Sequence, residues 1–198
     1  MTTSGWKLKL VTPPSVEPVS LEEAKGHLRV TITDDDAEIT RYIKAAREAA
    51  ESFTRRAFVT QTWELGMYSL GPTIELPKPP LISVVGITYT DQDGAEQTLP
   101  TTDYVVDDYS EPGLIYRARA ASWPALTSES GVRVKVRFTV GYRGEGSPGK
   151  GAENVPEMVK VAILLHVGEM YENRQTATAM PAACETLLHP FRVYGWDD

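Results

Sequence analysis

The spacing of apolar positions changes twice along this chain. Over residues 36–55, Ile39, Tyr42, Ile43, Ala46, Ala50 and Phe53 recur at intervals of three and four, which predicts an amphipathic helix with one buried face. Over 156–174, Met158, Val159, Val161, Ala162, Ile163, Leu164, Leu165, Val167, Met170 and Tyr171 cover most of a helix circumference. Such a helix is expected to be buried on more than one side. Between them the period falls to two. Residues 59–68, 73–76, 82–90, 104–107, 114–117 and 132–142 are rich in Val, Ile, Thr and Tyr and read as strands. Helices far apart in sequence must meet to bury their faces, so the strands become an insertion. The fold class read from this pattern is α+β: an antiparallel helical body built from both chain ends, with an inserted antiparallel β subdomain.

Local signals place the ends of these elements. Ser20-Leu21-Glu22-Glu23 has the form of a capping box that starts a short helix running to about Val30, with Val19 set to staple against Ala24. Asp34, Asp35 and Asp36 open the long helix, with negative charge at its positive dipole end and Glu38 close behind. Ala45, Ala46, Ala49 and Ala50 keep that helix slim. Arg41, Lys44, Arg47, Glu48 and Glu51 are assigned to its outer surface, with Glu51 and Arg55 at ion-pair spacing. Asp91-Gln92-Asp93-Gly94 reads as a hairpin turn, Pro77, Pro79 and Pro80 stiffen one connection, and Pro156 suits a first helical turn. The N-terminal residues alternate Trp6, Leu8 and Leu10 with Lys7 and Lys9, as in an edge strand or a docking arm. The expected division is 1–58, arm and helices; 59–143, β subdomain; 144–155, Gly-rich loop; 156–174, helix completing the body; and 175–198, docking segment. That last segment holds a polar hinge at 175–179, a short helix at 182–188, and Phe191, Tyr194 and Trp196 near its end. Aromatics there are either anchors of a docking peptide or packing against their own domain.

Composition narrows the function. A net charge of −7 argues against a sequence-blind DNA gripper, which needs excess Lys and Arg. A single cysteine, Cys184, permits no internal disulfide and fits a reducing compartment. No apolar run approaches the roughly 18 residues of a membrane span, and the N-terminus lacks a signal-peptide core. The expectation is a cytosolic chain. Gly144–Gly151 nearly matches a phosphate-cradling loop, but Gly151 replaces the magnesium-binding hydroxyl and Pro148 removes a backbone donor. His166 and Glu169 share a helix side without a third metal ligand, so His27, His166 and His189 read as packing or interface residues. No catalytic, cofactor or metal residues are assigned, and no enzyme activity is expected. On 132–140, Arg133, Lys135 and Arg137 alternate with Val132, Val134, Val136 and Phe138. With Arg117 and Arg119 on an adjacent strand they would form a basic patch for an acidic partner or a phosphate backbone; otherwise they are a solvated face protecting a strand.

The ordered set Pro18-Val19-Ser20-Leu21-Glu22-Glu23-Ala24-Lys25-Gly26-His27-Leu28-Arg29-Val30, Ala45-Ala46-Arg47-Glu48, Gln61-Thr62-Trp63, Leu76-Pro77-Lys78-Pro79-Pro80-Leu81, Tyr171-Glu172-Asn173-Arg174 and Leu187-Leu188-His189-Pro190-Phe191-Arg192-Val193 resembles head–tail connector (adaptor) proteins. These belong to long-tailed bacteriophages and phage-derived gene transfer agents. The resemblance implies a ring, typically of twelve subunits, beneath the portal protein, passing DNA without sequence-specific binding. The chain would then sit in the particle neck, assembled in the host bacterial cytoplasm, with a stopper or other neck or tail protein as a further partner. Portal binding would fall to Tyr171, Asn173, Arg174, Phe191, Arg192, Tyr194 and Trp196. The many-sided apolar helix offers Met158, Val161 and Leu165 as a subunit interface. Asp107, Asp108 and Glu111 are candidates to face the channel. The competing reading is a nucleic-acid-binding module using Arg133, Lys135 and Arg137.

Overall fold

The computed structural model describes residues 5–142, 152–173 and 179–194. Two compact units emerge. One combines the N-terminal segment to Pro13 with Gln61–Gly141; the other combines Pro14–Thr60 with the described residues from Tyr142 onward. The Gly144–Gly151 loop lies outside the described residues, as does most of the 175–179 hinge.

The first unit is all β. Strands β1 (Trp6–Thr12), β2 (Gln61–Met67), β3 (Thr73–Leu76), β4 (Leu81–Thr90), β5 (Glu96–Thr98), β6 (Tyr104–Asp107), β7 (Gly113–Arg117) and β8 (Val134–Val140) form two antiparallel sheets. The larger has the order β1-β2-β8-β4-β5 and the smaller β3-β7-β6. The N-terminal segment, grouped with the helices on sequence grounds, is an edge strand here, its register running from Trp6 opposite Met67 to Leu10 opposite Trp63. On central β8, Val134, Val136, Phe138 and Val140 are buried while Lys135, Arg137 and Thr139 face outward, the alternation expected of a half-covered strand. Gly113 marks a tight approach: a Cβ there would lie 2.6 Å from Leu81 Cδ2. β5 was not foreseen. Its three residues are all exposed and polar, so no apolar periodicity announces it. It exists because the Asp91–Gly94 turn folds the chain back, with Asp91 Oδ1 accepting the amides of Asp93 and Ala95 and Gly94 at φ +83°.

The second unit is helical. Helices α1 (Leu21–Leu28), α2 (Asp36–Thr54), α3 (Glu157–Glu172) and α4 (Ala182–Leu188) pack around a core that includes Val19, Ala24, Ile39, Ile43, Ala46, Ala50, Val159, Ile163, Val167 and Leu188. The capping box is present: Ser20 Oγ accepts the Glu23 amide at 3.2 Å and Glu23 Oε2 accepts the Ser20 amide at 2.7 Å. That pairing holds the Glu23 carboxyl below its ordinary range. α1 ends at Arg29 and α2 at Arg55, both left-handed (φ 57° and 60°), a role usually given to glycine. The aspartate run behaves differently from a side-chain cap. Asp35 makes no capping bond; its Oδ2 accepts the Tyr171 hydroxyl at 2.6 Å, and Asp36 Oδ1 pairs with Lys25 Nζ at 2.5 Å. Of the four alanines, only Ala46 and Ala50 meet the core. Pro156 stands just before α3, as its cap, rather than inside it.

The outer surface assigned to α2 also needs correction. Arg47 and Glu51 are buried, at 3% and 7% exposure. Arg47 Nε bonds Glu17 Oε2 at 2.7 Å, Arg47 Nη1 bonds Glu51 Oε2 at 2.9 Å, and Glu51 Oε1 accepts the Phe58 amide at 2.8 Å. Desolvation works against the guanidinium charge, but the Glu17 hydrogen bond and the Glu51, Glu17 and Glu48 charges outweigh it and raise its pKa. A single ionic node therefore ties the segment before α1 and the turn after α2 to α2 itself.

Candidate assembly interface

Three surfaces stand out from the sequence, and each can be built from its residues. On α3, the buried face comprises Val159, Ala162, Ile163, His166 and Val167. These positions recur at three and four and use up one side of the helix. Met158 and Val161 project at 44% and 45% exposure, with Leu165 half-buried one turn further on. The three residues fall at steps of three and four; Met158 and Val161 are open, while Leu165 packs in part against the helical core. An apolar stripe on an otherwise packed helix is a surface suited to association. His166 sits on the covered side with Nδ1 enclosed and without a hydrogen-bond partner. Burial pulls its pKa down, and Glu169 opposes that only partly. Cys184 is a buried packing residue whose thiol is pushed up by burial.

The C-terminal segment divides between packing and display. The Val193 amide bonds Thr54 O at 2.9 Å, and Arg56 Nε bonds Phe191 O at 2.5 Å, which fastens this stretch to the end of α2. The Arg192 guanidinium lies between rings, 5.5 Å from the Phe53 centroid and 5.4 Å from that of Tyr194. Tyr194 itself is 55% exposed, with its hydroxyl 3.1 Å from His189 Nε2. Phe191, Arg192 and Val193 thus pack back on their own unit, whereas Tyr194 is displayed. Tyr171 is half-buried and held by Asp35, whereas Asn173 is exposed and donates to Glu169 Oε1. Arg174 and Trp196 lie outside the described residues.

The basic strand face is less cationic than its sequence suggests. Lys135 Nζ meets Glu96 Oε2 at 2.6 Å, Arg137 Nη2 meets Glu64 Oε2 at 2.8 Å, and Arg133 Nε donates to Glu129 O. The Glu64 and Glu96 partners come from β2 and β5, so an unforeseen strand supplies half of the neutralisation. Arg117 does not neighbour β8; it lies on β7, in the other sheet. Glu64, Val85, Gly86, Thr88, Glu96, Lys135 and Arg137 together line a shallow depression of about 280 Å³ with both signs of charge. Sequence reasoning named the carboxylates around one further feature but not the feature itself: Tyr109, 97% exposed at the tip of the β6–β7 hairpin. Aromatic residues in turns are visible in a sequence, but their exposure is not. Among the described residues no three His, Cys, Asp or Glu side chains gather as a metal site, and no helix is long and apolar enough to cross a membrane.

Comparison with known proteins bears on these surfaces. Residues 18–110 match the family of phage gp6-like head-tail connector proteins, which bears out the resemblance carried by the sequence motifs. No curated protein matches the chain. Among solved structures, a chain from the neck of an empty GTA particle superposes with a TM-score of 0.77 at 24% identity, over 96% of each chain. A chain from the virion of a native gene transfer agent (GTA) particle gives 0.76 at 24% identity, covering 95% of this chain and 96% of that one. A third, from the neck of the native GTA particle computed with C12 symmetry, gives 0.74 at 24% identity and 96% coverage of both. The α+β fold is therefore shared along nearly the whole chain with proteins of such particles.

Proposed function

We propose, from the head–tail connector family that residues 18–110 match, that this chain is a structural connector in the neck of a phage or gene-transfer-agent particle. The observation that carries the reading is the coincidence of that match with a fold shared over 96% of a neck chain. The chain forms a ring, of twelve copies as the resemblance implies, between the portal protein and the next neck or tail component. The α3 stripe of Met158, Val161 and Leu165 supplies a contact between subunits. Tyr194 and Asn173, with Arg174 and Trp196, face the portal, while Tyr171, Phe191 and Arg192 support that end from inside the unit.

In this role the chain is structural rather than catalytic. The net charge of −7 suits a conduit, because walls of like charge avoid the phosphate contacts that would hold DNA in place. The carboxylate pairing of Lys135 and Arg137 agrees with that and gives no support to a DNA-gripping face. The test is genetic and structural. Particles produced without this chain are expected as DNA-filled heads that fail to join tails, a defect reversed by supplying the chain. Normally joined particles in its absence would overturn the proposal.

A further inference from the structure

Two surfaces of the β unit carry opposite charge around exposed apolar side chains. The first is the outer face of the β3-β7-β6 sheet. Its register sets Thr73 and Val105 on either side of Tyr116, and Glu75 and Asp107 on either side of Leu114, so these residues share one face. Ile74 and Ile115 point the other way and are buried, but Val105 and Tyr116 remain 55% and 40% exposed. Tyr109 caps the same hairpin. Its loop is held in shape by Asp107, whose Oδ1 accepts the amides of Tyr109 and Ser110 and whose Oδ2 accepts the Ser110 hydroxyl at 2.7 Å. A side chain this exposed on a loop this well bonded meets a partner with little further loss of entropy. Between Val105 and Gly113 the charges are Asp107, Asp108 and Glu111, with no Lys or Arg. The result is an aromatic and apolar centre with an acidic rim.

The second surface is the outer strand β1. Lys7 and Lys9 share one side, Val11 follows at the irregularity between Leu10 and Thr12, both lysines are exposed, and neither has an ion-pair partner among the described residues. Leu10 and Val11 add exposed apolar surface at 41% and 38%. Lysines on an edge strand discourage indiscriminate pairing, yet they admit a neighbour that brings carboxylates. The exposed Arg41 and Lys44 of α2 do not offer the same match, since α2 presents no large exposed apolar residue.

We propose that the acidic β6–β7 face of one copy docks on β1 of a second copy, with Tyr109 against Val11 and with Asp108 and Glu111 against Lys7 and Lys9. Because the two patches differ, the contact is head-to-tail and propagates from copy to copy, which closes as a ring when the rotation permits. In this respect the inference rests on the ring reading above, but it specifies a second seam, in the β unit, independent of the α3 stripe.

Cysteine cross-linking tests the seam. Chains bearing Tyr109→Cys are combined with chains bearing Val11→Cys, in assembled particles and in concentrated purified protein; the native Cys184 is buried and does not compete. The expected result is a disulfide-linked dimer of the two variants. Lys7→Glu with Lys9→Glu should lower its yield about tenfold, and adding Asp108→Lys with Glu111→Lys on the other chain should restore it. No dimer in either setting, or linkage of the position-109 thiol only to a different neck protein, would overturn the proposal. Images of the same necks read the ring separately. A ring without the cross-link defeats this seam alone, whereas the cross-link without a ring defeats the ring reading and leaves the seam standing.

Discussion

Arg47 holds two carboxylates at 3% exposure, so its removal takes away the guanidinium that both Glu17 and the buried Glu51 bond. Arg47→Ala is expected to cost about 3 kcal/mol of unfolding free energy, measured by urea denaturation, far more than a surface Arg on the same helix. Ser20→Ala, which removes one half of the capping box, should cost about 1 kcal/mol. His166 adds a pH dependence of defined sign. Its folded pKa is depressed by burial, so the unfolded chain takes up a proton near pH 6.5 while the folded chain resists it. Stability from this group is complete above that value and is lost as pH falls through it toward the folded pKa. His166→Leu should flatten the decline in stability between about pH 7 and pH 5, before the carboxylates titrate. Little of this was legible beforehand. Arg47 and Glu51 fall four apart on a helix, a spacing that an exposed pair shares with a buried one. Only the partner from outside the helix, Glu17, tells them apart.

Among elements, α3 was the most legible and also the most informative. Its apolar residues exceed what one packed face can use, and the structure leaves Met158 and Val161 uncovered as a result. Met158→Glu with Val161→Glu should change the isolated chain's stability by less than about 1 kcal/mol, since both side chains are already wet. The same pair should reduce incorporation into particles by about tenfold or more, read by immunoblot of purified particles. The strands of high Val, Ile and Tyr content were visible from their alternation; β5 was not, because Glu96–Thr98 has no buried side and owes its place to a turn. The terminal aromatics were equally visible, but which of them pack was decided by backbone bonds. The Val193 amide on Thr54 O and Arg56 on Phe191 O involve partners some 135 residues away in the case of Phe191, and no local pattern encodes them.

For the whole molecule, the class of fold was readable because helical and strand periods occupy separate stretches of the chain. The placement of the N-terminal strand was not, since alternation at Trp6–Leu10 fits an arm as well as a sheet edge, and only pairing with β2 distinguishes them. Exposed apolar side chains such as Met158, Val161 and Tyr109 are the kind of surface that suits association. A chain ending at Tyr194 keeps the packed residues Phe191–Val193 and loses only Gly195, Trp196, Asp197 and Asp198. It should fold with an unchanged denaturation midpoint but fail to join heads to tails. The most direct measurement is an averaged electron-microscopic reconstruction of the particle neck with this chain identified in it. The account predicts a closed ring of this chain between portal and tail. A neck whose density contains no ring of this chain would contradict it.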